Sequence, residues 1–503
     1  MNDDFSLSNK AHNRGWVLAA LMFSIMLAAM DVTIVSTAIP QIVADLGDFG
    51  LFSWVYSIYL LAQTITIPIY GKLADIYGRK PVLRIGIVVF LAGSAASAAS
   101  WDMTSLIIFR GLQGLGAGAI MATVNTIAGD IYTVRERAQI QGWLSSVWGM
   151  AAIMGPSLGG ALVEYANWRW IFLINIPIGI TAFILLSVFF KEHIVKREHH
   201  IDYGGALMML VTGTMLIFTL MKLGQEWELF TWRSSGMILL TILLIALTIY
   251  IEKRSREPVM PNWVWTNKIL AGSNLAMILM GAMMLGPNMY IPVFAQSVLG
   301  MGAIAAGFIL ASMTIGWPVA SSLSGKLYLK IGFRNTAVIG VIMIIIFSTL
   351  FLILPFNMHP WWLVADQLFL GAGFGLLSTP VLVGVQSVVS WGKRGVVTSA
   401  NMFSRYLGQS IGAAVLGGVF NTAINGKLSN APAGLKQQMP RNVNDVITVL
   451  QSSKTSESAS GYIKHAFYYA SHQVYFTMAL IGVLTFACLF LLSREYHPVA
   501  ETE

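Results

Sequence analysis

The sequence predicts an all-α membrane protein with fourteen transmembrane helices, and three features agree on this. The chain is 56% hydrophobic and only 11% charged, whereas a soluble domain carries about 25% charged residues. Lys and Arg residues recur in alternate loops along the chain. Fourteen apolar runs have the length that crosses a bilayer; they lie at 16–38, 51–70, 81–100, 104–128, 139–163, 168–190, 201–222, 233–251, 269–298, 303–325, 335–355, 361–386, 396–423 and 473–493.

The distribution of positive charge predicts the orientation of these helices. Twenty-one Lys and Arg residues fall on one side of the membrane, against three in the short loops opposite, which are Arg169, Lys222 and Arg233. Because positively charged short loops resist translocation, we expect both termini to be cytoplasmic. The first run is about 23 residues long and has no A-x-A cleavage site, so we interpret it as a retained helix and not as a signal peptide.

A long polar segment, residues 424–472, separates the last two apolar runs on the predicted outer side. Long loops are exempt from the charge rule, so its lysines do not contradict the orientation. Residues Val443–Gln451 within it could form a short helix. Two interpretations remain open: a lid over the outer mouth and a passive connector.

An internal repeat divides the chain. The residues Gly71-Lys72-Leu73 recur 254 positions later as Gly325-Lys326-Leu327, and Gly114, Gly116 and Gly118 recur 257 positions later as Gly371, Gly373 and Gly375. The second span therefore corresponds to the tenth and the fourth to the twelfth. Since transporters are often built from such repeats, we predict a six-helix bundle in 1–190, two inserted helices in 191–260 and a second six-helix bundle in 261–503.

The loop between the second and third spans has a distinctive pattern, Gly71-Lys-Leu-Ala-Asp75-Ile-Tyr-Gly78-Arg79-Lys80. Its glycines permit a tight turn. Asp75 can pair with a basic residue or face the N-terminus of a neighbouring helix, and Asp130 at the end of the fourth span is the expected partner of Arg79. Lys and Arg here could serve orientation alone, but that purpose requires neither Asp75 nor the glycines.

Asp31 and Arg110 are opposite charges at a similar depth. Asp31 lies about 7 residues from the outer end of the first span and Arg110 about 6 from that of the fourth, so both lie roughly 10 Å deep. Charged residues at membrane depth are functional candidates by default. If the two side chains pair, a change in burial or separation alters the proton affinity of Asp31, which proton-coupled transport requires. A purely structural ion pair is the alternative.

Two further motifs complete the pattern. The fifth span contains Gly155-Pro156-Ser-Leu-Gly159-Gly160, and the sixth opens with Asn167-Trp168-Arg169-Trp170-Ile-Phe-Leu-Ile-Asn175-Ile-Pro177. Together with the 71–80 loop and Arg110-Gly-Leu-Gln113-Gly114, these segments make nearly the whole chain resemble the fourteen-helix drug:proton antiporter branch of the major facilitator superfamily.

This resemblance implies a major facilitator fold and the export of lipophilic or amphiphilic compounds in exchange for protons, by alternating access, as in multidrug efflux. It implies that Gly71, Asp75, Gly78, Arg79 and Asp130 form a latch that holds the outward-facing state. It links Arg110, with Asp31, to proton coupling, and Gly155, Pro156, Gly159 and Gly160 to exporters as opposed to uptake systems. The second copy of the loop has Leu329 in place of Asp75, so a second latch is not expected.

The second half contributes two more charges at membrane depth, Asp366 and Arg405. Asp366 lies close enough to the outer surface that a solvated position is an equal alternative. Aromatic and Met side chains accept varied apolar shapes, so we expect a substrate path lined by such residues, with ordinary packing as the alternative for each: Tyr56, Tyr59, Trp143, Trp148, Met154, Met289 and Tyr290.

Other functional classes fit the sequence less well. An exporter of endogenous lipids or fatty acids has the same architecture and remains an alternative. An enzyme embedded in the membrane would need clustered His, Asp or Ser near one face of the bilayer. The following histidines lie instead in predicted loops or near span ends: His193, His199, His200, His359, His465, His472 and His497. The sequence also has no ATP-binding loop of the G-x-x-x-x-G-K-S/T kind. We expect no cofactor beyond a proton gradient and no metal, and Cys488, the single cysteine, precludes an internal disulfide.

The expected partners follow from the same pattern. They are the lipid bilayer of a bacterial cell membrane, protons and small apolar substrates, and the chain is expected to act as a monomer. The basic residues alternate with spans and do not form one face, so no nucleic acid is expected.

Overall fold

The computed structural model describes residues 3–47, 52–192, 202–225, 231–255, 257–432, 434–436, 439, 456–490 and 492, and no β-strand occurs among them. Thirteen helices in this part of the chain are long and apolar enough to cross a membrane. A further helix, Phe52–Tyr77, is 26 residues long and corresponds to the second predicted span. It also carries three buried polar residues, Gln63, Thr64 and Thr66. The prediction of fourteen membrane-length helices is therefore confirmed.

The first half of the chain forms helices that pack around one apolar core. Their bounds are α1 Asp3–Ile34, α2 Ile39–Leu46, α3 Phe52–Tyr77, α4 Arg79–Ala98, α5 Met103–Ile131, α6 Val134–Tyr165, α7 Trp170–Leu173 and α8 Asn175–Phe189.

Two predicted spans of this half are interrupted. The first was expected to run to residue 38, but α1 ends at Ile34 and a 3-10 turn precedes α2, which has Pro40 in its first turn. The sixth is broken at Ile174 into α7 and α8. A proline ring clashes with the carbonyl four residues earlier, and Pro177 stands four residues after Leu173, the last residue of α7.

The inserted pair, α9 Tyr203–Gln225 and α10 Trp232–Arg254, follows. Threonines join the two helices, as between Thr212 and Thr248, whose hydroxyl oxygens are 2.7 Å apart. Interhelical hydrogen bonds of this kind stabilise packing in lipid. Helix α9 lies against α3 from the first half, where Ile217 packs on Ile65. It also lies against a helix of the second half, Arg394–Ser429.

The second half has its own apolar core. Its helices are α11 Trp263–Thr266, α12 Lys268–Ser297, α13 Ala303–Ile331, α14 Phe333–Phe351, α15 Pro360–Ser387, α16 Arg394–Ser429 and α17 Glu457–Leu489.

The polar segment 424–472 was predicted as one long loop, and both of its ends are in fact helical. Helix α16 continues to Ser429 and α17 begins at Glu457. The two extensions contact each other, since the hydroxyl of Tyr462 donates to the carbonyl of Lys427 at 2.8 Å. Hydropathy marks only the apolar part of a helix, and a helix can extend into water with polar residues, so the loop was predicted too long. The possible helix Val443–Gln451 lies outside the described residues.

The repeated glycines allow close helix contact in both halves. A Cβ atom on Gly114 would lie 2.5 Å from the carbonyl oxygen of Tyr59, and one on Gly371 would lie 2.1 Å from that of Met313. Glycine thus joins α5 to α3 in the first half and α15 to α13 in the second. Small residues commonly bring membrane helices together in this way.

We expect Gly412→Leu to destabilise the protein and Gly418→Leu, on the same helix, to leave it nearly unchanged. A Cβ at Gly412 would lie 2.5 Å from the carbonyl oxygen of Ala282, whereas no atom lies within 4 Å of one at Gly418. Overpacking of this kind costs about 1–3 kcal/mol. Midpoints of thermal unfolding in detergent measure the difference, and equal midpoints for the two variants would contradict the described packing of α16 on α12.

Candidate functional site

A fully buried ion pair lies inside the first half. Nη1 of Arg110 on α5 is 2.5 Å from Oδ2 of Asp31 on α1, and both side chains have 0% exposure. The structure therefore brings together the two charges that the sequence placed at one depth. A buried charge is tolerated only when it is paired and hydrogen-bonded.

Gln113 bridges the pair. Its Nε2 donates to Oδ1 of Asp31 at 2.8 Å, and its Oε1 accepts from Nη1 of Arg110 at 2.7 Å. Asn175 stands 3.5 Å from the same Asp31 oxygen and donates to Ser94 at 3.0 Å. Sequence reasoning missed Gln113 and Asn175 as members of the site. The i,i+3 spacing of Arg110 and Gln113, which places them on one helix face, is a signal that could have found Gln113.

The Arg110 guanidinium lies against aromatic rings. Its Cζ is 4.3 Å from the centre of the Tyr59 ring and 5.7 Å from that of Phe172, distances at which a cation is attracted to the ring face. Tyr59 is fully buried. In this conformation its ring covers the arginine, and its place on the substrate path stays a prediction.

The other residues expected on the substrate path differ in exposure. Trp143, Met154 and Met289 are exposed large apolar side chains. Trp148 is partly buried against the first core. The list is completed by Tyr56, whose hydroxyl donates to the carbonyl of Val32 at 2.9 Å, and by Tyr290, whose ring stacks on Phe420 with centroids 4.6 Å apart.

A second charged cluster lies at one end of the bundle, and we call it the latch cluster. Nη2 of Arg79 is 2.8 Å from Oδ1 of Asp75, and Nε of Arg79 is 3.0 Å from Oδ2 of Asp130. Asp130 is thus the partner of Arg79, as the sequence suggested. Arg79 is fully buried, and the side chains of Asp75 and Asp130 beside it are only 5% and 9% exposed.

The latch cluster joins the two halves. The Asp75 carboxylate accepts hydrogen bonds from the backbone N–H groups of Gly395 and Val396, at 3.0 and 2.8 Å. These groups belong to the first turn of α16, where helix N–H groups have no partner within the helix and favour an anion. Nη1 of Arg394, from the same turn, is 3.2 Å from Oδ1 of Asp130.

Trp391 adds two contacts to Arg79 from the second half. Its carbonyl accepts from Nη2 at 2.7 Å, and its ring centre lies 3.6 Å from Cζ. Trp391 and Arg394 were not predicted as site residues. Arg394 is one of the twenty-one positive charges counted on the predicted cytoplasmic side. No local pattern could have found them, because they meet Arg79 and Asp130 only through the packing of the two halves.

The loop glycines have distinct structural reasons. Gly78 connects α3 to α4 with a φ of 97°, a conformation that glycine adopts without strain. A Cβ on Gly71 would lie 2.0 Å from the hydroxyl oxygen of Ser399, so glycine there lets α3 approach α16. In the second copy, Leu329 is exposed, and the neighbouring Tyr328 hydroxyl donates to the carbonyl of Val134 across the two halves.

Other contacts join the halves near the end that carries the latch cluster, and one lies farther along α3, at Gln63. Nε2 of Gln386 donates to the backbone carbonyl of Asn125 at 3.0 Å, and Nε2 of Gln63 lies 3.4 Å from the Tyr406 hydroxyl. A Cβ on Gly129 would lie 2.7 Å from Oε1 of Gln386. The halves are therefore in tight contact at this end of the bundle.

The Gly-Pro motif of α6 lies against the first helix. A Cβ on Gly155 would lie 2.1 Å from the hydroxyl oxygen of Thr33, and that hydroxyl donates to the carbonyl of Ala151 at 2.9 Å. Gly159 is buried, whereas the space beside Gly160 is open. Helix α6 continues across Pro156 to Tyr165. The motif thus brings α6 into contact with Thr33, which follows Asp31 by two residues on α1.

The Trp-Arg pair before α7 binds Asp45, which follows the first span. Nε1 of Trp168 and Nη1 of Arg169 donate to Oδ2 of Asp45 at 2.9 and 2.8 Å. These hydrogen bonds hold the pKa of Asp45 below its ordinary value. The motif therefore ties the end of α2 to the start of α7.

Asp366 and Arg405 do not meet as a pair. Asp366 is 1% exposed, so its expected alternative position in solvent is wrong: the side chain lies inside the second half, beside Gln367, whose Nε2 donates to the Tyr475 hydroxyl of α17 at 3.0 Å. Its Oδ2 accepts from Nε2 of Gln367 at 2.9 Å. Arg405 is half-buried and lies over the Tyr406 ring at 5.1 Å; no ion pair joins it to Asp366 among the described residues.

The chemistry available to these clusters is ion pairing and proton exchange at carboxylates. No group of three or more His, Cys, Asp or Glu residues in the described part of the chain is arranged to hold a metal ion.

Comparison with known proteins places this arrangement in a family. Residues 21–413 match the sequence model of the Major Facilitator Superfamily. The chain belongs to this superfamily of membrane transporters. It is 32% identical to multidrug resistance protein 3 of Bacillus subtilis over 450 residues, covering 88% of this chain and 87% of that protein.

Two further similarities agree with this assignment. The chain is 33% identical to the multidrug transporter protein MdtP of Bacillus subtilis over 418 residues, covering 83% of this chain and 77% of the other. The crystal structure of the human organic anion transporter MFSD10 aligns with a TM-score of 0.61 at 12% identity, over 95% of this chain and 99% of that one. That structure shows the shared fold alone.

We expect Arg110→Met to destabilise the protein by about 3–5 kcal/mol, because it leaves a buried carboxylate without its counter-charge. The double variant Asp31→Asn with Arg110→Met should lose less stability than the two single variants together. Thermal unfolding of all four proteins in detergent gives this comparison.

The matched control is Arg14→Met, since the Arg14–Glu136 pair is partly exposed, with side-chain exposures of 31% and 44%. Pairs of this type contribute about 1 kcal/mol or less. Additive losses from the Asp31 and Arg110 variants would contradict a direct interaction between the two side chains.

Proposed function

We propose that the protein exports lipophilic or amphiphilic compounds from a bacterial cell in exchange for protons, by alternating access between its two halves. The buried Asp31–Arg110–Gln113 cluster is the observation that carries this proposal, because a carboxylate at that position is costly unless it has a function. The names of the two Bacillus relatives, a multidrug resistance protein and a multidrug transporter, support the substrate class.

Proton exchange at Asp31 would change the forces inside the first half. In the charged form, its oxygens accept from Arg110 and Gln113. A proton on Asp31 removes the counter-charge of a fully buried guanidinium, and an uncompensated buried charge is strongly unfavourable. Protonation therefore favours a rearrangement of α1 relative to α5, and loss of the proton reverses it.

Helix contacts supply a route from Asp31 to the other half. Thr33, two residues after Asp31, packs against Gly155 of α6. The same helix meets α13 of the second half, where a Cβ on Gly149 would lie 3.1 Å from the carbonyl oxygen of Thr314. A shift of α1 would thus act on a helix that contacts both halves.

The latch cluster would hold the outward-facing state. Its Asp75 contacts cap α16 of the other half, and Asp130 binds arginines from both halves. The bias of positive charge toward this end supports a cytoplasmic location for it and for both termini. Opening toward the cytoplasm then requires that Asp75, Arg79 and Asp130 exchange or lose these partners.

The same proposal gives each part of the chain a role in transport. Residues 1–190 and 261–503 are the two bundles that move relative to each other, and residues 191–260 carry the inserted pair. Among the described residues, each bundle has its own apolar core, and only the first core also takes in a few side chains of the other half, which supports this division. We propose a monomer in the cell membrane, driven by the proton gradient without a bound cofactor.

We expect Asp31→Asn to abolish proton-driven export, because an amide cannot exchange a proton. Cells that carry the wild type should survive higher concentrations of some members of a panel of dyes, quaternary ammonium compounds and free fatty acids than cells without it. Cells with Asp31→Asn should lose this advantage at equal protein level. Proteoliposomes with an imposed pH gradient and ethidium as the probe measure the same loss directly.

Asp102→Asn is the control, since Asp102 is an exposed N-cap residue whose carboxylate accepts from the backbone of Ser105. Undiminished pH-driven transport by Asp31→Asn would remove Asp31 from the mechanism. Protection restricted to free fatty acids would favour the export of endogenous lipids over multidrug efflux.

We expect Asp75→Ala to open the latch end of the bundle. The variant loses an ion pair and two charge-assisted hydrogen bonds; a loss of about 2 kcal/mol changes the ratio of closed to open states roughly 30-fold. Tyr77 and Leu329 are exposed and belong to different halves, so each can be replaced by a spin-labelled cysteine in a Cys488→Ser background. Double electron–electron resonance then measures the distance between the two labels. A longer distance should become populated, whereas Asp102→Ala should leave the distribution unchanged; an unchanged distribution in both would refute the latch.

A further inference from the structure

We propose that Asp366 is a second proton site, in the second half of the protein, and that its carboxyl group carries a proton in the conformation described here. This deepens the proposed function, since it adds a second proton to the exchange cycle. The protonated state itself does not depend on that function.

The Asp366 carboxyl group is buried without a counter-charge. Its side chain lies in α15 with 1% exposure. Oδ2 accepts from Nε2 of Gln367 at 2.9 Å, and the same nitrogen lies 3.0 Å from the hydroxyl oxygen of Tyr475 on α17. Oδ1 is buried and has no hydrogen-bond partner among the described residues, and the same holds for Oε1 of Gln367.

Hydrogen-bond accounting favours the neutral acid. An ionised carboxylate only accepts, whereas a protonated one supplies an O–H donor. The cluster already contains two buried oxygens without a donor, so a charged Asp366 would leave both unsatisfied. A proton on Oδ1 gives the cluster one more donor and removes a charge whose burial without a partner is very costly.

The surrounding helices offer little compensation for a charge. Tyr475 of α17 is the ionisable group nearest to the cluster, and His472, one turn earlier, is engaged by the carbonyl of Tyr468 at 2.8 Å. Helix α14 contributes Phe351, stacked on Tyr475 at 3.8 Å, and α13 contributes the hydroxyl of Ser312, which donates to the carbonyl of Val364 at 3.1 Å.

Among the described residues, the remaining charges near α15 do not pair with Asp366. Arg405 of α16 lies over Tyr406. Lys326 and Lys330 stand in the last turns of α13, and Arg334 in the first turn of α14, at the opposite end from the start of α15. None of these makes an ion pair with Asp366 in the described part of the chain.

The repeat explains why this half lacks a counter-charge. The offset that relates Gly114 to Gly371 also relates Arg110 to Gln367. The second half thus has a neutral amide at the position where the first half has its buried arginine. One half pairs its acid with a cation, and the other leaves its acid beside an amide and a phenol.

The proton step at Asp366 is simple. When a conformational change admits water to the cluster, the O–H bond at Oδ1 breaks and the proton passes to water, which leaves a carboxylate. Uptake is the reverse, with the O–H bond formed again before the cluster closes. A cycle that used both Asp31 and Asp366 would exchange one proton more than Asp31 alone provides.

Infrared spectroscopy of the purified protein tests the protonated state. The C=O stretching band of a protonated carboxyl group, identified by its shift in D₂O, should be present at neutral pH in the wild type and in Asp31→Asn. It should be weaker in Asp366→Asn, whose amide has nearly the same size, so that the difference spectrum between the two proteins contains the Asp366 band and cancels the band of any other protonated carboxyl group. Asp366→Glu should restore a band, which keeps the test valid if the Asn variant folds poorly. A difference spectrum without this band, or the absence of the band from the wild type, would overturn the proposal.

Proton counting tests the use of the site. With ethidium as the probe in proteoliposomes, the number of protons exchanged per probe molecule should fall by one in Asp366→Asn and remain at the wild-type value in Asp102→Asn. An unchanged ratio would show that Asp366 takes no part in exchange. If the wild type itself exchanged no protons, the proposed antiport would fail, and the infrared band would still report on Asp366.

Discussion

The burial of charge in a low-dielectric bundle is the constraint on which the rest of this structure depends. Arg110 and Asp31 both have no solvent exposure, so each relies on the other and on neighbouring polar groups. Gln113 serves both partners, and the ring of Tyr59 covers the guanidinium. Helices α1, α3 and α5 must remain close for this to hold, and glycines such as Gly114 make that distance possible.

The same constraint shapes the latch cluster, where the partners come from different halves. Asp130 divides its two oxygens between Arg79 of the first half and Arg394 of the second. Neither arginine can leave without uncovering part of a buried carboxylate. A cluster of this kind favours two discrete arrangements over a continuum, because intermediate positions leave charges unpaired.

The sequence allowed the spans, the repeat and the main charged pairs to be predicted, because these follow from local chemistry. Hydropathy gives the positions of apolar helices, and depth along a helix axis brought Asp31 and Arg110 to one level. The ends of α16 and α17 were predicted poorly, since a helix that leaves the membrane carries no hydropathy signal. Trp391 and Arg394 could not be predicted, because their contacts with Arg79 and Asp130 exist only once the two halves have docked.

The inserted pair breaks a symmetry that the repeat would otherwise impose. By that symmetry, the boundary between α3 and α16 and the boundary between α6 and α13 should look alike from the surrounding lipid. Helix α9 packs on both α3 and α16, so the first boundary is overlaid by a membrane-embedded hairpin. A lipid molecule moving around the protein therefore meets two different boundaries between the halves: one is covered by the inserted helices, and the other is formed by α6 and α13.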